Sequence, residues 1–154
     1  EVHGARYMAA FVNEQNSKRG HYADVIKDIA DKQVCPFCPE QLANFHKNPI
    51  RRHGHWIVTN NMYPYKPVKQ HILLIHAEHI EHARDLSNEA WSELQEVIKQ
   101  ETSDRNMVGG AFMMRFGDTH FTGASVSHLH AHLIQSDPEA QDYDPELGLR
   151  ARIG

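Results

Sequence analysis

The sequence predicts one domain in which α-helices accompany a β-sheet, and three patterns predict it. In residues 125–134 three histidines, His128, His130 and His132, alternate with Leu129, Ala131 and Leu133. A strand sends successive side chains to opposite faces, so this spacing gathers three imidazoles on one side and turns the apolar residues to a core. On a helix the same rings would fan out by roughly 200° per step of two and share nothing. A second strand, residues 68–76, holds the apolar run Ile72-Leu73-Leu74-Ile75. Helical periodicity marks Tyr22, Val25, Ile26 and Ile29, and again Ala90, Trp91, Leu94, Val97 and Ile98.

Length and composition bound the answer. A chain of 154 residues has the length of one domain and can bury a core. With 40% hydrophobic and 23% charged residues it fits an ordinary globular protein. The net charge of −4 argues against a broad nucleic-acid footprint. Histidine is the outlier, with 13 in the chain, so acid would swing the charge strongly positive. No apolar run approaches the roughly 20 residues that span a bilayer. Glu1-Val2-His3-Gly4 lacks the basic head and apolar centre of a signal peptide, and the expected compartment is cytoplasmic. The two cysteines, Cys35 and Cys38, then read as metal ligands or a redox pair.

In chain order, residues 5–13 predict a helix, 16–20 a loop, and 22–31 a short helix. Cys35-Pro36-Phe37-Cys38-Pro39 is a rigid turn, because each proline fixes its own φ and restrains the residue before it. Residues 56–60 predict a strand, 61–67 a loop stiffened by Pro64 and Pro67, and 68–76 the longer strand. Ser87 is a good N-cap for a helix over 88–101, with Glu89 in its first turn. A turn at 105–106 leads to a strand over 110–116, then a loop over 117–123, and the histidine strand closes the sheet. From residue 136 the chain is acidic, with Pro138 and Pro145, and predicts an irregular tail packed over the site or a partner subunit.

Three convergent imidazoles suit a metal site, or nucleophilic catalysis by a neutral ring nitrogen whose neighbours orient it and handle protons. They also suit a polar strand face whose histidines bond backbone. The cysteine turn can aim two sulfurs at one zinc ion, as thiolates at about 2.3 Å, with two further ligands completing a tetrahedron. His46, His53 and His55 lie nearest in sequence, but His53 and His55 are too close together for a zinc-finger pair. Such a site is structural, since four protein ligands leave no position for water.

Taken together these motifs resemble the histidine-triad (HIT) superfamily. Residues 125–134 look like its His-φ-His-φ-His-φ-φ signature with a small hydrogen-bonding residue upstream. Asn61-Met62-Tyr63-Pro64-Tyr65 resembles its nucleotide loop, and Gln70-His71-Ile72-Leu73-Leu74-Ile75 followed by His79 resembles its second-strand segment. Cys35 and Cys38 resemble the zinc-binding pair of its bacterial members and of galactose-1-phosphate uridylyltransferases.

The resemblance implies an α+β fold: an antiparallel sheet of about five strands with helices packed on one face, commonly a homodimer. Residues 1–154 would form one domain, with 1–32 a helical extension, 33–135 the HIT core and 136–154 the tail. The implied activity is hydrolysis or transfer at the α-phosphate of a nucleotide or nucleotide conjugate. His130 would be the nucleophile, with a carbonyl near His128 holding its Nδ1 proton; His132 would assist the leaving group. Ser125 and the amides around Gly123, Ala124 and Ser125 would bind phosphoryl oxygens, Asn61 the nucleotide, and His71 would pack under the triad. One structural zinc would sit on Cys35, Cys38, His79 and His128, with His76 or His82 as substitutes for His79.

Departures bear on substrate. Arg115-Phe116-Gly117 stands where many members carry Asn, and Arg115 can reach a phosphate as a fork donor or end its strand in solvent. Gln70 replaces a usual Gly, His76 a usual Pro, and Gln135-Ser136-Asp137 a usual Pro-Arg. That ending resembles the aprataxin branch, which resolves adenylated DNA ends; the acidic charge argues against DNA here. Trp56 and Tyr65 flank a base or belong to the core, and His120 is a leaving-group contact or a loop residue. A nucleotidyltransferase or phosphorylase sharing the His130 intermediate, a nucleotide-binding regulatory protein, and a metalloenzyme with all three histidines on one metal are the alternatives.

Overall fold

A computed structural model describes residues 11–17 and 20–154. Five antiparallel strands form one sheet: β1 (Ile50–His53), β2 (Trp56–Asn60), β3 (Val68–His76), β4 (Ala111–Arg115) and β5 (His130–Ser136). Their spatial order is β1-β2-β3-β5-β4, which places the histidine strand between β3 and the edge strand β4. Among the described residues the α-helices are α1 (Gly20–Lys32), α2 (Pro39–Phe45), α3 (Asn88–Asp104) and the single turn α4 (Thr119–Thr122). The expected α+β class and five-stranded antiparallel sheet are both present.

Strand alternation decides the two faces. On β3, Ile72 and Leu74 point to α3 and join Trp56, Val58, Ala90, Leu94 and Val97 in the main core. Leu129, Ala131 and Leu133 join the same core, so His130 and His132 between them must face the other way. Each fully buried Leu or Ile contributes about 1.5–3 kcal/mol. Trp56 is wholly buried, and its indole N–H donates to the Ala90 carbonyl at 2.8 Å, tying β2 to α3. Trp56 is therefore core. Leu73 and Ile75 point to the opposite face and meet Leu42 of α2. So α3 is the helical cover predicted for one face, and α2 adds cover on the other.

Ser87 caps α3 as predicted, accepting from the Ala90 N–H at 3.0 Å. The helix runs three residues past the predicted end, to Asp104. Glu101 is buried there between Arg51, in direct contact, and Arg105 at 2.7 Å, an ion-paired turn that no apolar stripe announces.

The remaining differences are local. The helix predicted over 5–13 lies mostly outside the described residues, and its described end is extended instead, with Val12 bridging Val126 antiparallel. The loop over 117–123 contains α4, capped by Asp118 and closed by Gly123 at φ 75°, which glycine adopts without steric cost. The histidine strand begins at His130, not at residue 125. His128 precedes it in a bend, because the Leu129 N–H leaves the ladder to donate to the Ile80 carbonyl at 2.7 Å. From residue 137 onward the chain holds only turns and irregular segments. No described helix is long and apolar enough to cross a membrane.

Candidate active site and metal centre

Four side chains converge where the cysteine turn meets the bend before β5. Cys35, Cys38, His79 and His128 offer ligand atoms that all lie within 4.8 Å of one another. Cys38 is the N-cap of α2 with Pro39 in its first turn, so the helix start fixes the turn that aims both sulfurs. Cys35 Sγ is 3.3 Å and Cys38 Sγ 3.7 Å from His128 Nδ1, and Cys38 Sγ is 3.4 Å from His79 Nδ1. A tetrahedral zinc with ordinary bond lengths gives ligand separations of roughly 3.3–3.8 Å, so the donor set fits.

The outer partners fit as well. His128 Nε2 donates to the His76 carbonyl at 2.6 Å, which leaves Nδ1 with its lone pair toward the sulfurs. His79 Nε2 is 3.3 Å from Glu81 Oε1, again freeing Nδ1. Burial pushes the Cys35 thiol up to about 12 and raises Cys38, so the pair is protonated until a metal displaces the protons.

His128 is thus turned to the cysteines, away from its two neighbours' task, and the three imidazoles do not serve one site. Of the histidines weighed for the metal, only His79 and His128 join the cluster. His76 Nδ1 bonds the Glu78 carbonyl, His46 bonds Thr59, His53 and His55 pair with Glu96 and Glu93, and His82 caps a 3-10 turn.

His130 and His132 line a cavity on the free face of β5. His130 Nδ1 donates to the His128 carbonyl at 2.8 Å, so its lone pair is on Nε2. The ring packs edge-on against Phe37, 5.0 Å between centroids. Burial pushes His130 down to about 4, against the bond to the His128 carbonyl, so the ring is neutral near pH 7.

A second chain of bonds sets His132. The Tyr65 N–H donates to His71 Nδ1 at 3.0 Å, which assigns the His71 proton to Nε2. That proton goes to His132 Nδ1 at 2.8 Å. His132 therefore carries its own proton on Nε2, 3.4 Å from Nη1 of Arg115. Two N–H donors face each other with no described acceptor between them, an arrangement that calls for an anion. Burial pushes His71 down to about 4 and His132 well below its ordinary value, with His130, His71 and Arg115 adding to the effect on His132.

Arg115 does not end in solvent. Its Nη1 donates to Tyr65 OH at 3.1 Å and its Nη2 to the Arg152 carbonyl at 2.6 Å, so the tail packs beside the cavity. Asn61, Gly123, Ala124 and Ser125 line the same cavity, and among the described residues no carboxylate does. Asn61 Oδ1 accepts from the Tyr63 N–H at 2.9 Å, and its amide nitrogen lies 3.2 Å from His71 Nε2, a packing contact since both atoms carry protons. Tyr65 stacks on His132 at 17°, and His120 is exposed. The apolar end of the cavity is made by Val25, Ile26, Ile29, Phe37 and Phe45. Sequence reasoning missed Tyr22, which reads there as one member of a helical apolar stripe, and Phe37, which reads only as part of the cysteine turn.

A neutral imidazole aimed at a cavity, a second one backed by a buried histidine, and a Cys-x-x-Cys cluster define a histidine-triad protein. The chain belongs to the family described as scavenger mRNA decapping enzyme C-term binding, whose model matches residues 34–143. No curated protein matches at a significant level. Among solved structures, a histidine triad protein from Clostridium difficile is 20% identical with a TM-score of 0.50, covering 70% of this chain and 96% of that one. A histidine triad nucleotide-binding protein from Candida albicans is 17% identical with a TM-score of 0.50, covering 69% and 84%. A zinc-bound histidine triad family protein from Mycobacterium smegmatis is 14% identical with a TM-score of 0.50, covering 68% and 78%. At these identities the likeness is one of fold.

Proposed function

We propose that this chain is a nucleotide hydrolase that cleaves nucleotide conjugates at the α-phosphate through a covalent nucleotidyl-His130 intermediate. The observation that carries this reading is the His130 Nδ1 bond to the His128 carbonyl, which leaves Nε2 unprotonated on a ring that burial keeps neutral. Nε2 attacks the α-phosphorus, the bond from phosphorus to the leaving group breaks, and His132 Nε2–H donates a hydrogen bond to that group as its negative charge grows, the group taking its proton from water on release. Water then attacks the phosphorus, the P–N bond breaks, and nucleoside monophosphate and free His130 are released. A covalent step divides one difficult displacement into two easier ones.

The other residues bind and polarise. Ser125, through its hydroxyl and its own N–H, holds non-bridging oxygens, where charge grows in the transition state; Gly123 and Ala124 shape the wall beside it, their N–H groups donating to the Thr119 carbonyl and to Thr122 Oγ1. Arg115 Nη1 sits beside His132 Nε2 and holds an anionic leaving group as a fork donor. Asn61 lines the nucleotide side of the cavity, and the apolar end receives the base. Cys35, Cys38, His79 and His128 hold one zinc, which when bound ties the α2 turn to the bend before β5. The edge strand β4, with Phe112 exposed on it and Phe116 exposed just after its end, supports a homodimer built on that edge.

Incubating the protein with adenosine and uridine phosphoramidates and dinucleoside polyphosphates tests the reading. Release of nucleoside monophosphate supports it; release of a nucleoside diphosphate only when inorganic phosphate is added points instead to a phosphorylase. No turnover with any conjugate, together with tight nucleotide binding, points to a regulatory protein.

A further inference from the structure

Helix α1 lies outside the matched region, yet it brings a side chain into the cavity. The Tyr22 hydroxyl hydrogen-bonds Ser125 Oγ. Among the described residues neither hydroxyl has another partner. Two hydroxyls carry two protons, and one shared bond uses one of them. The second proton has no described acceptor, and both residues line the cavity that holds His130 and His132.

The position is built. The Tyr22 ring packs on Tyr63 with 4.8 Å between centroids. One and two turns further along α1, Ile26 and Ile29 pack on Val12 and Val126, beside Ser125. Asn16 just before the helix donates to the Ala124 carbonyl at 2.7 Å, and the Asn13 N–H to the Ser125 carbonyl at 2.8 Å. The segment leading into α1 is laced to the residue whose hydroxyl Tyr22 meets.

We infer that Tyr22 is a positioning residue of the site: its phenol O–H donates to Ser125 Oγ and thereby turns the serine proton toward a phosphoryl oxygen of the bound nucleotide. This rests on the function proposed above. A phenol is the better donor of the two hydroxyls, which sets the direction of the bond. Burial raises the phenol above its ordinary value, so it stays protonated through neutral pH. The matched region alone therefore makes an incomplete site.

Three variants test this in the full chain: Tyr22→Phe, Ser125→Ala and the double variant. Binding of adenosine 5′-monophosphate and of adenosine, which lacks the phosphate, is measured by calorimetry beside turnover of a conjugate. Tyr22→Phe should lower kcat about tenfold and weaken monophosphate binding severalfold, leaving adenosine binding and the melting temperature unchanged. In the Ser125→Ala background it should cost nothing more, because the two act as one unit. Monophosphate affinity and turnover equal to wild type in Tyr22→Phe, or losses that multiply in the double variant, overturn the inference while the hydrolase reading stands. If wild-type protein prefers adenosine to its monophosphate, the hydrolase reading falls and the inference with it.

Discussion

His71 Nε2 lies 2.8 Å from His132 Nδ1, and this buried contact decides which nitrogen of His132 carries a proton in the cavity. The Tyr65 amide fixes the direction of the bond from the far side of His71. Replacing His71 by Leu removes the acceptor of that amide and the donor to His132, so His132 loses both its orientation and its tautomer. Turnover should fall about tenfold or more, mainly in kcat, with substrate binding less affected. Steady-state kinetics checks this; a variant whose kcat is unchanged would remove His71 from the proton arrangement.

The same burial makes stability depend on pH. His71 is held down to about 4 in the fold and titrates near 6.5 when exposed, and His132 is likewise depressed. Below about pH 6.5 the unfolded chain takes up protons that the folded chain refuses. Stability from these groups is complete above that point and is lost as pH falls toward 4, by about 1.4 kcal/mol per unit for each histidine. Urea unfolding at about pH 7.5 and about pH 5 should give the lower midpoint in acid, and His71→Gln should reduce the difference. Equal midpoints at the two pH values would contradict the burial argument.

The parts that the sequence discloses are those written in local periodicity or in rare residue types. Alternating His130 and His132 against Leu129, Ala131 and Leu133 fixes a face, and the stripe from Ala90 to Ile98 fixes α3. The cysteine pair announces metal chemistry, but its histidine partners come from 41 and more residues away, so spacing alone cannot choose His79 over His76 or His82. Elements α2 and β1 stayed hidden for physical reasons: α2 has seven residues, and β1 reads Ile-Arg-Arg-His because an edge strand need not alternate. His128 leaves the strand through a tertiary bond from Leu129 to Ile80, which no local pattern encodes. Tyr22 sits at the end of an apolar helical stripe and is indistinguishable there from core.

Arg115 presents a planar fork that bonds Tyr65, the Arg152 carbonyl and the space beside His132 at once. Lysine cannot reproduce that fork. Arg115→Lys should therefore behave like Arg115→Met, cutting turnover of dinucleoside polyphosphates about tenfold or more and of phosphoramidates with uncharged amines much less. Comparing kcat/KM for the two substrate classes checks this. Equal losses on both classes would place Arg115 outside the leaving-group site.

The metal prediction concerns content and stability together. Wild-type protein should hold one zinc per chain by elemental analysis. Cys35→Ala should lower both the zinc content and the melting temperature, since the metal joins segments 93 residues apart in sequence. Chelation should inactivate only as the fold is lost. Zinc content unchanged in the variant would take Cys35 out of the ligand set.

The most direct measurement is mass spectrometry of protein quenched in base during turnover of a nucleotide conjugate. The account predicts an acid-labile nucleotidyl group on His130, absent from a folded His130→Ala variant that still binds nucleotide but has lost nearly all turnover. A fully active His130→Ala variant, or the adduct found on His132, would contradict it.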